Sequence, residues 1–163
     1  MNIDVNICFA YKNSKEQAGY FKTCRELIEG VISSLIEQGR SGVKSEFASL
    51  SGKIKTPGGI SESDFIIGDP SHPNFHETHA SESNLFLHPV PAVILLTNDT
   101  WGDDVNFILK NPLYDIRGIF RASKMNDADE FGRFSEVIKT IVRQILRRSG
   151  LRRKIFQSRL TGR

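Results

Sequence analysis

Two uninterrupted apolar runs constrain this chain most: FIIG at 65–68 and VPAVILLT at 90–97. A strand with one face in water alternates apolar and polar residues, because successive side chains point to opposite faces. Neither run alternates, so each is expected to be a strand covered on both faces, as strands inside a parallel sheet are. Parallel neighbours need a crossover of about a dozen residues or more. The chain between the two runs provides one, with a helix expected over roughly 74–87.

The remaining segments fit the same plan. Ile3, Val5, Ile7 and Phe9 alternate with polar residues, the period-two pattern of a first strand. From Lys15 to Gln38, Tyr20, Cys24, Leu27, Ile28, Val31 and Leu35 recur at helical spacing, with Ser14 as the N-cap and Gly39 ending the pattern. A short second strand is expected at Val43–Phe47, a fifth at 116–122 (IRGIFRA), and a closing helix at Glu130–Arg148 with Phe134, Ile138, Ile141 and Ile145 on its inner face. Pro57, Gly58 and Gly59 argue against a helix in the segment between the second and third strands. Strands that alternate with helices point to an α/β fold. The expectation is a five-stranded, mainly parallel sheet in the flavodoxin-like order 2-1-3-4-5, with helices on both faces.

A length of 163 residues suits one domain, read as a single α/β domain over 1–148 followed by a basic tail over 149–163. No apolar run approaches the roughly 18 residues of a membrane span, and the opening MNIDVNICFA lacks the basic segment of a secretory signal. A cytoplasmic chain without membrane contact is expected. Cys8 and Cys24, one in a strand and one in a helix, read as reduced core thiols. The net charge of +3 divides unevenly: from Arg147 onward there are seven bases and no acid, which leaves −4 on everything before. Such a tail suits either a solvated terminus or contact with the phosphates of nucleic acid. A homo-oligomer is compatible with the sequence.

In a sheet of this order, ligands collect at the carboxyl ends of the strands where the strand order reverses. The segments there are 10–19, 69–74 and 97–104, and the stretch DFIIGDPSHPNFHETHASE at 64–82 lies at that rim. Asp69 directly follows the apolar run. Pro73 suits the first position of a helix, which puts Glu77 about one turn further on, where its carboxylate can converge with that of Asp69. Paired carboxylates in a half-buried cleft suit chemistry at an anomeric carbon. The alternative is structural, with Asp69 capping a turn and Glu77 favouring the positive end of a helix. All four histidines, His72, His76, His79 and His88, fall between 72 and 88, and His72 and His76 have the i, i+4 spacing of two ligands on one helix face. HETH is nevertheless one residue short of HExxH, and no cysteine pair lies nearby, so no metal and no cofactor is expected. GxxxxGK[ST], GxGxxG and GxSxG are absent, which removes the usual signatures of P-loop, dinucleotide-fingerprint and α/β-hydrolase sites.

The run SDFIIGDPSHPNFHE, then PVPAVILLTND, then YDIRGIFR resembles the nucleoside deoxyribosyltransferase-like and TIR-like nucleotide-binding proteins over 64–121. In those families an "ADhhIhD" strand is followed by "NPNhhhE", a "kPVIhhT" strand and a late "hDhRG" segment. The matching residues are 63–69, 72–77, 91–97 and 114–118. The resemblance implies a ligand with a ribosyl or deoxyribosyl group, NAD or a nucleoside serving as substrate. Activity would be N-glycoside hydrolysis or transfer, in bacterial antiviral defence or nucleotide metabolism. It also implies Glu77 as the catalytic carboxylate and Asp69 as a sugar or base contact. Around them Phe9 and Tyr11 are candidates to stack on a base, Asn74 to orient the sugar, and Thr97, Asn98, Asp115 and Arg117 to complete the ligand contacts. A non-catalytic nucleotide sensor or protein-interaction module is the other reading.

Overall fold

The computed structural model describes residues 2–12, 14–56, 63–76, 91–112 and 114–160, with backbone alone at 74 and 151–160. Five strands form one sheet: β1 (Ile3–Ala10), β2 (Leu50–Lys55), β3 (Phe65–Gly68), β4 (Ala92–Leu96) and β5 (Asp115–Phe120). Their order is β2-β1-β3-β4-β5, and every neighbouring pair is parallel. This is the flavodoxin-like arrangement. Every residue of β3 and β4 is buried, as expected of apolar runs with strands on either side and helices above and below.

Among the described residues three helices accompany the sheet: α1 (Lys15–Arg40), α2 (Asp103–Lys110) and α3 (Ala128–Leu160). The larger core forms between one sheet face and α1 with α3, where Phe21, Cys24, Ile28 and Leu35 meet Phe134, Ile138, Val142 and the side chains of Val5, Ile7, Phe65, Ile67 and Ile94. On the opposite face, Val105 and Ile108 of α2 pack with Phe75, Ile66, Val93 and Leu95. Alternate residues of β3 and β4 therefore serve the two cores, so helices cover both faces. No helix among the described residues is long and apolar enough to cross a membrane.

The two long helices begin in the same way. Ser14 caps α1, its hydroxyl accepting from the amide of Gln17 at 3.2 Å. Asp127 precedes α3 and its Oδ1 accepts from the amides of Asp129 and Glu130 at 3.0 and 3.3 Å. Both caps lie three residues before a Gln or Glu, the capping-box spacing. In each case the distal side chain reaches beyond the helix to the chain leaving the preceding strand: Gln17 Oε1 accepts from Lys12 N at 2.8 Å, and Glu130 Oε1 accepts from Arg121 N at 3.0 Å. The caps thus start the helices and also fix where β1 and β5 end.

Several elements differ from the sequence expectation. The second strand is Leu50–Lys55, and Ser45–Phe47 is a 3-10 turn. The apolar residues that suggested a strand at 43–47 have separate roles, since Val43 is exposed while Phe47 is buried as an anchor. The Phe47 carbonyl group lies so close to Gly39 that a Cβ there would sit 2.6 Å from it, so the glycine lets the loop fold back onto the end of α1. Helix α2 was not foreseen, because its eight residues carry only two fully buried side chains, Val105 and Ile108. The closing helix starts two residues earlier than expected and continues through 149–160. Of the helix expected at 74–87, the described part is a 3-10 turn at Pro73–Phe75; the remainder lies outside the described residues.

β5 begins at Asp115 and carries a bulge. Val93 pairs with Ile116 and Ile94 with Gly118, so Arg117 is the extra residue, and a bulge re-aims the side chain it releases.

Candidate functional site

The strand order reverses at β1, which has β2 on one side and β3 on the other. The carboxyl ends of β1 and β3 accordingly flank the place where this fold leaves a crevice. Asp69 occupies it. Its amide donates to the carbonyl of Ala10, the last residue of β1, at 2.8 Å. This bond extends the β1–β3 ladder by one step and sets the carboxylate at the rim.

Three donors hold that carboxylate. Oδ1 accepts from the Ser71 amide at 2.8 Å and from the Ser71 hydroxyl at 2.5 Å, while Oδ2 accepts from Gln17 Nε2 at 2.7 Å. Gln17 belongs to the first turn of α1, and its other amide atom holds Lys12 N. One continuous network therefore joins the loop after β1, the start of α1 and the turn after β3. Capping of the turn, the structural role foreseen for Asp69, is present. So is its position at the rim.

The glycine just before it has a steric reason. A Cβ on Gly68 would lie 2.6 Å from Cε2 and 2.7 Å from Cζ of Phe75, and 2.9 Å from the Ala10 carbonyl oxygen. Phe75 is buried, its ring meets that of Tyr114 edge-on at 5.7 Å, and its carbonyl accepts from the Tyr114 hydroxyl at 3.0 Å. The turn at 70–76 is therefore pinned to the sheet by a ring that needs a residue without a side chain beneath it.

The structure brings some of the sequence candidates together and leaves others apart. Tyr11 follows β1 and stacks on Phe21 of α1, with ring centroids 4.5 Å apart and planes 17° from parallel. Phe9 lies beside it, and both line a groove of about 320 Å³ with Phe21, Lys22, Arg25 and Thr56. Thr97 and Asn98 also reach the carboxyl rim, one strand beyond Asp69. Thr97 Oγ1 accepts from Asp99 N at 3.1 Å, and Asn98 Oδ1 accepts from Ser123 N at 2.9 Å, which ties the loops after β4 and β5 together.

Asp115 and Arg117 do not join this group. Asp115 is in register with Ala92, which faces Phe65 at the start of β3, whereas Asp69 follows the end of β3. Arg117 donates from Nε to Asp115 at 3.0 Å and from a terminal nitrogen to Gln144 of α3 at 2.6 Å. Its bulged position turns it toward α3 and not toward the rim. Glu77, His79 and His88 lie outside the described residues, and for Asn74 only the backbone, within the 3-10 turn, is described.

His76 Nε2 lies 2.8 Å from the Pro70 carbonyl and 3.3 Å from Asp104 Oδ1, and its ring stacks on Phe107 at 4.9 Å. This joins the turn after β3 to α2. Among the described residues no group of three His, Cys, Asp or Glu side chains could hold a metal ion.

Gln17 is the participant that reading for catalytic residues missed. The signal was available: it stands three residues after the cap Ser14, where a glutamine is expected to reach back over the helix start. Glu130, with Thr97 one of the two buried polar residues among the described residues, repeats the pattern at α3.

The described residues thus form an α/β protein of flavodoxin-like fold with a polar, organised rim at the switch in strand order. A scan against protein-family models, a search of curated proteins and a search of solved structures find no match for the chain.

Proposed function

We propose that the protein binds a nucleotide or nucleoside at the carboxyl ends of β1 and β3 and acts there on its N-glycosidic bond. The observation that carries the binding reading is the Asp69 carboxylate, held by Gln17 and Ser71 at the switch in strand order. A fixed carboxylate at that place suits the hydroxyls of a ribose, and the neighbouring rings of Phe9 and Tyr11 suit a base. The class of chemistry rests on the resemblance of 64–121 to deoxyribosyltransferase-like and TIR-like proteins.

In this reading Glu77 attacks or stabilises the anomeric carbon as the bond to the base nitrogen breaks. The bonding electrons leave with the base; a purine or pyrimidine takes up a proton as it departs, whereas nicotinamide leaves neutral without one, and water or a second base then resolves the sugar. The role of Asp69 is to orient the sugar, because both its oxygens already accept hydrogen bonds within the protein. A cytoplasmic setting in nucleotide metabolism, or in defence by consumption of NAD, suits such an activity.

That both oxygens of Asp69 are already bonded within the protein, with one acceptor site of Oδ2 left over, favours a second reading, a sensor that binds the nucleotide without turning it over. One assay separates the two. Purified protein is incubated with NAD and with a mixture of nucleosides, and released base is measured by chromatography. Release that disappears in Glu77→Gln supports the enzyme. Binding measured by calorimetry without release supports the sensor, and the absence of both binding and release refutes the proposal.

A further inference from the structure

The groove beside the end of β1 has a charged edge that the site above does not use. It lies between the first half of α1 and the ends of β1 and β2. Phe9, Tyr11 and Phe21 form its apolar wall, Lys22 and Arg25 its charged edge, and Thr56 adds a hydroxyl. Its volume of about 320 Å³ falls at the small end of ligand sites, which run from roughly 300 to 1,000 Å³. Among the described residues no carboxylate lines it.

The two cations stand three residues apart on α1, and side chains at that spacing are neighbours on a helix surface. Among the described residues Lys22 has no ion-pair partner. Arg25 donates only its Nε to Glu29, at 3.2 Å. Its terminal nitrogens remain available, and they form the fork that matches the oxygens of a phosphate. Cations on an exposed helix are ordinary. What distinguishes this pair is the aromatic groove beneath it and the residue sequence that connects the groove to Asp69. Ala10 accepts the Asp69 amide and the next residue, Tyr11, lines the groove. Gln17 binds the Asp69 carboxylate and the next residue, Ala18, lines the groove. The rim and the groove therefore adjoin across the end of β1.

We infer that the Lys22 and Arg25 edge of the groove takes the phosphate of the ligand whose base lies on Phe9 and Tyr11, so that the site recognises a phosphorylated nucleotide in preference to a bare nucleoside. This inference rests on the reading of the rim as a nucleotide or nucleoside site and adds the anionic part. Lys22 and Arg25 are its specificity residues. They contribute charge-assisted hydrogen bonds to phosphate oxygens that a nucleoside cannot offer.

The test compares AMP, GMP, CMP and UMP with their four nucleosides by calorimetry on the full chain, in the original protein and in a Lys22→Gln, Arg25→Gln double variant. Both positions are exposed, and circular dichroism checks that the variant is folded. The expected result is a preference of about tenfold or more for at least one nucleotide over its nucleoside, which weakens as salt is raised. In the double variant the nucleotide affinity should fall to that of the nucleoside. Equal affinity for nucleotide and nucleoside in the original protein would overturn this inference and leave the reading of the rim intact. A preference that survives in the double variant would also overturn it, since the phosphate would then be held elsewhere. Failure of NAD and of all eight probes to bind would refute the rim reading itself.

Discussion

Replacing Asp69 by asparagine exchanges one carboxylate oxygen for an NH2 group and removes the charge at the centre of the rim network. In the native protein Gln17 can face only one way: its NH2 donates to Asp69 Oδ2 at 2.7 Å and its oxygen accepts from Lys12 N at 2.8 Å. The substituted asparagine would keep one oxygen for Ser71 and turn an NH2 toward the NH2 of Gln17. Rotating the Gln17 amide would relieve that clash only by setting its NH2 against the Lys12 amide. One hydrogen bond is lost in either orientation, together with the charge assistance of the carboxylate. Hydrogen bonds to charged groups contribute about 1.5–3 kcal/mol, and the half-buried position favours the lower part of that range, so Asp69→Asn should destabilise the fold by about 2 kcal/mol. For a domain of this size that lowers the melting temperature by roughly 4–8 °C. Gln17→Glu alone should also destabilise, by about 1–2 kcal/mol, because two carboxylates would meet at hydrogen-bond distance. The double variant, Gln17→Glu with Asp69→Asn, is the decisive case. The new glutamate could accept from both Lys12 N and the NH2 of the new asparagine, whose oxygen still accepts from Ser71, so every bond returns with the charge moved to the other residue. Urea unfolding followed by circular dichroism should put the double variant within about 0.5 kcal/mol of the native protein, a coupling energy of about 3 kcal/mol. If the two single effects simply add, or if Asp69→Asn unfolds at the native urea midpoint, the network does not organise the rim as argued.

Gly68→Ala should lose about 1–3 kcal/mol in the same unfolding assay, because its Cβ would overlap the buried Phe75 ring and the Ala10 carbonyl; a change below about 0.5 kcal/mol would show that the turn yields easily. Glu130→Ala, which leaves the Arg121 amide without its partner, should cost about 1–3 kcal/mol, whereas Glu130→Gln retains an acceptor and should cost under about 1 kcal/mol. Equal losses in the two variants would point to the ion pair with Arg133 and away from the bond to the strand exit. Burial pushes the Cys24 thiol up to about 12, and burial also raises that of Cys8 against a weaker opposing hydrogen bond from Ser63. Thiolate is the reactive form, so at about pH 8 in the folded protein buried Cys24 should not react with a disulfide reagent, half-buried Cys8 should react more slowly than a free thiol, and both should react fully once guanidinium unfolds it. Rapid labelling of Cys24 in the native state would contradict the packing of α1.

The features legible in the sequence were those set by short-range rules. FIIG and AVILL could only be buried strands, because a run without polar residues has no face to give to water. The apolar spacing of α1 and its Ser14 cap marked the start of that helix correctly, and Asp69 could be placed at a strand end simply because it follows the run. From those elements and their alternation the sheet order followed, since crossovers leave few topologies open. Other features depended on partners distant in sequence. Val43 and Phe47 have the composition of a strand, but only the fold shows that Phe47 closes over Gly39 while the strand itself starts at Leu50. Arg117 could on its sequence alone serve a ligand phosphate or pair with Asp115; its bulged position in β5 and its bond to Gln144 depend on neighbours in β4 and α3. Gln17 has an ordinary side chain at an ordinary capping position. It becomes part of the site because β3 pairs with β1 and sets Asp69, 52 residues away in the chain, beside the start of α1. The sequence by itself therefore determined the two buried central strands and the start of α1, since those choices depend on the solvation and backbone bonding of adjacent residues. Which side chains share the rim was decided by tertiary structure alone, because that depends on packing between segments whose separation no local pattern records.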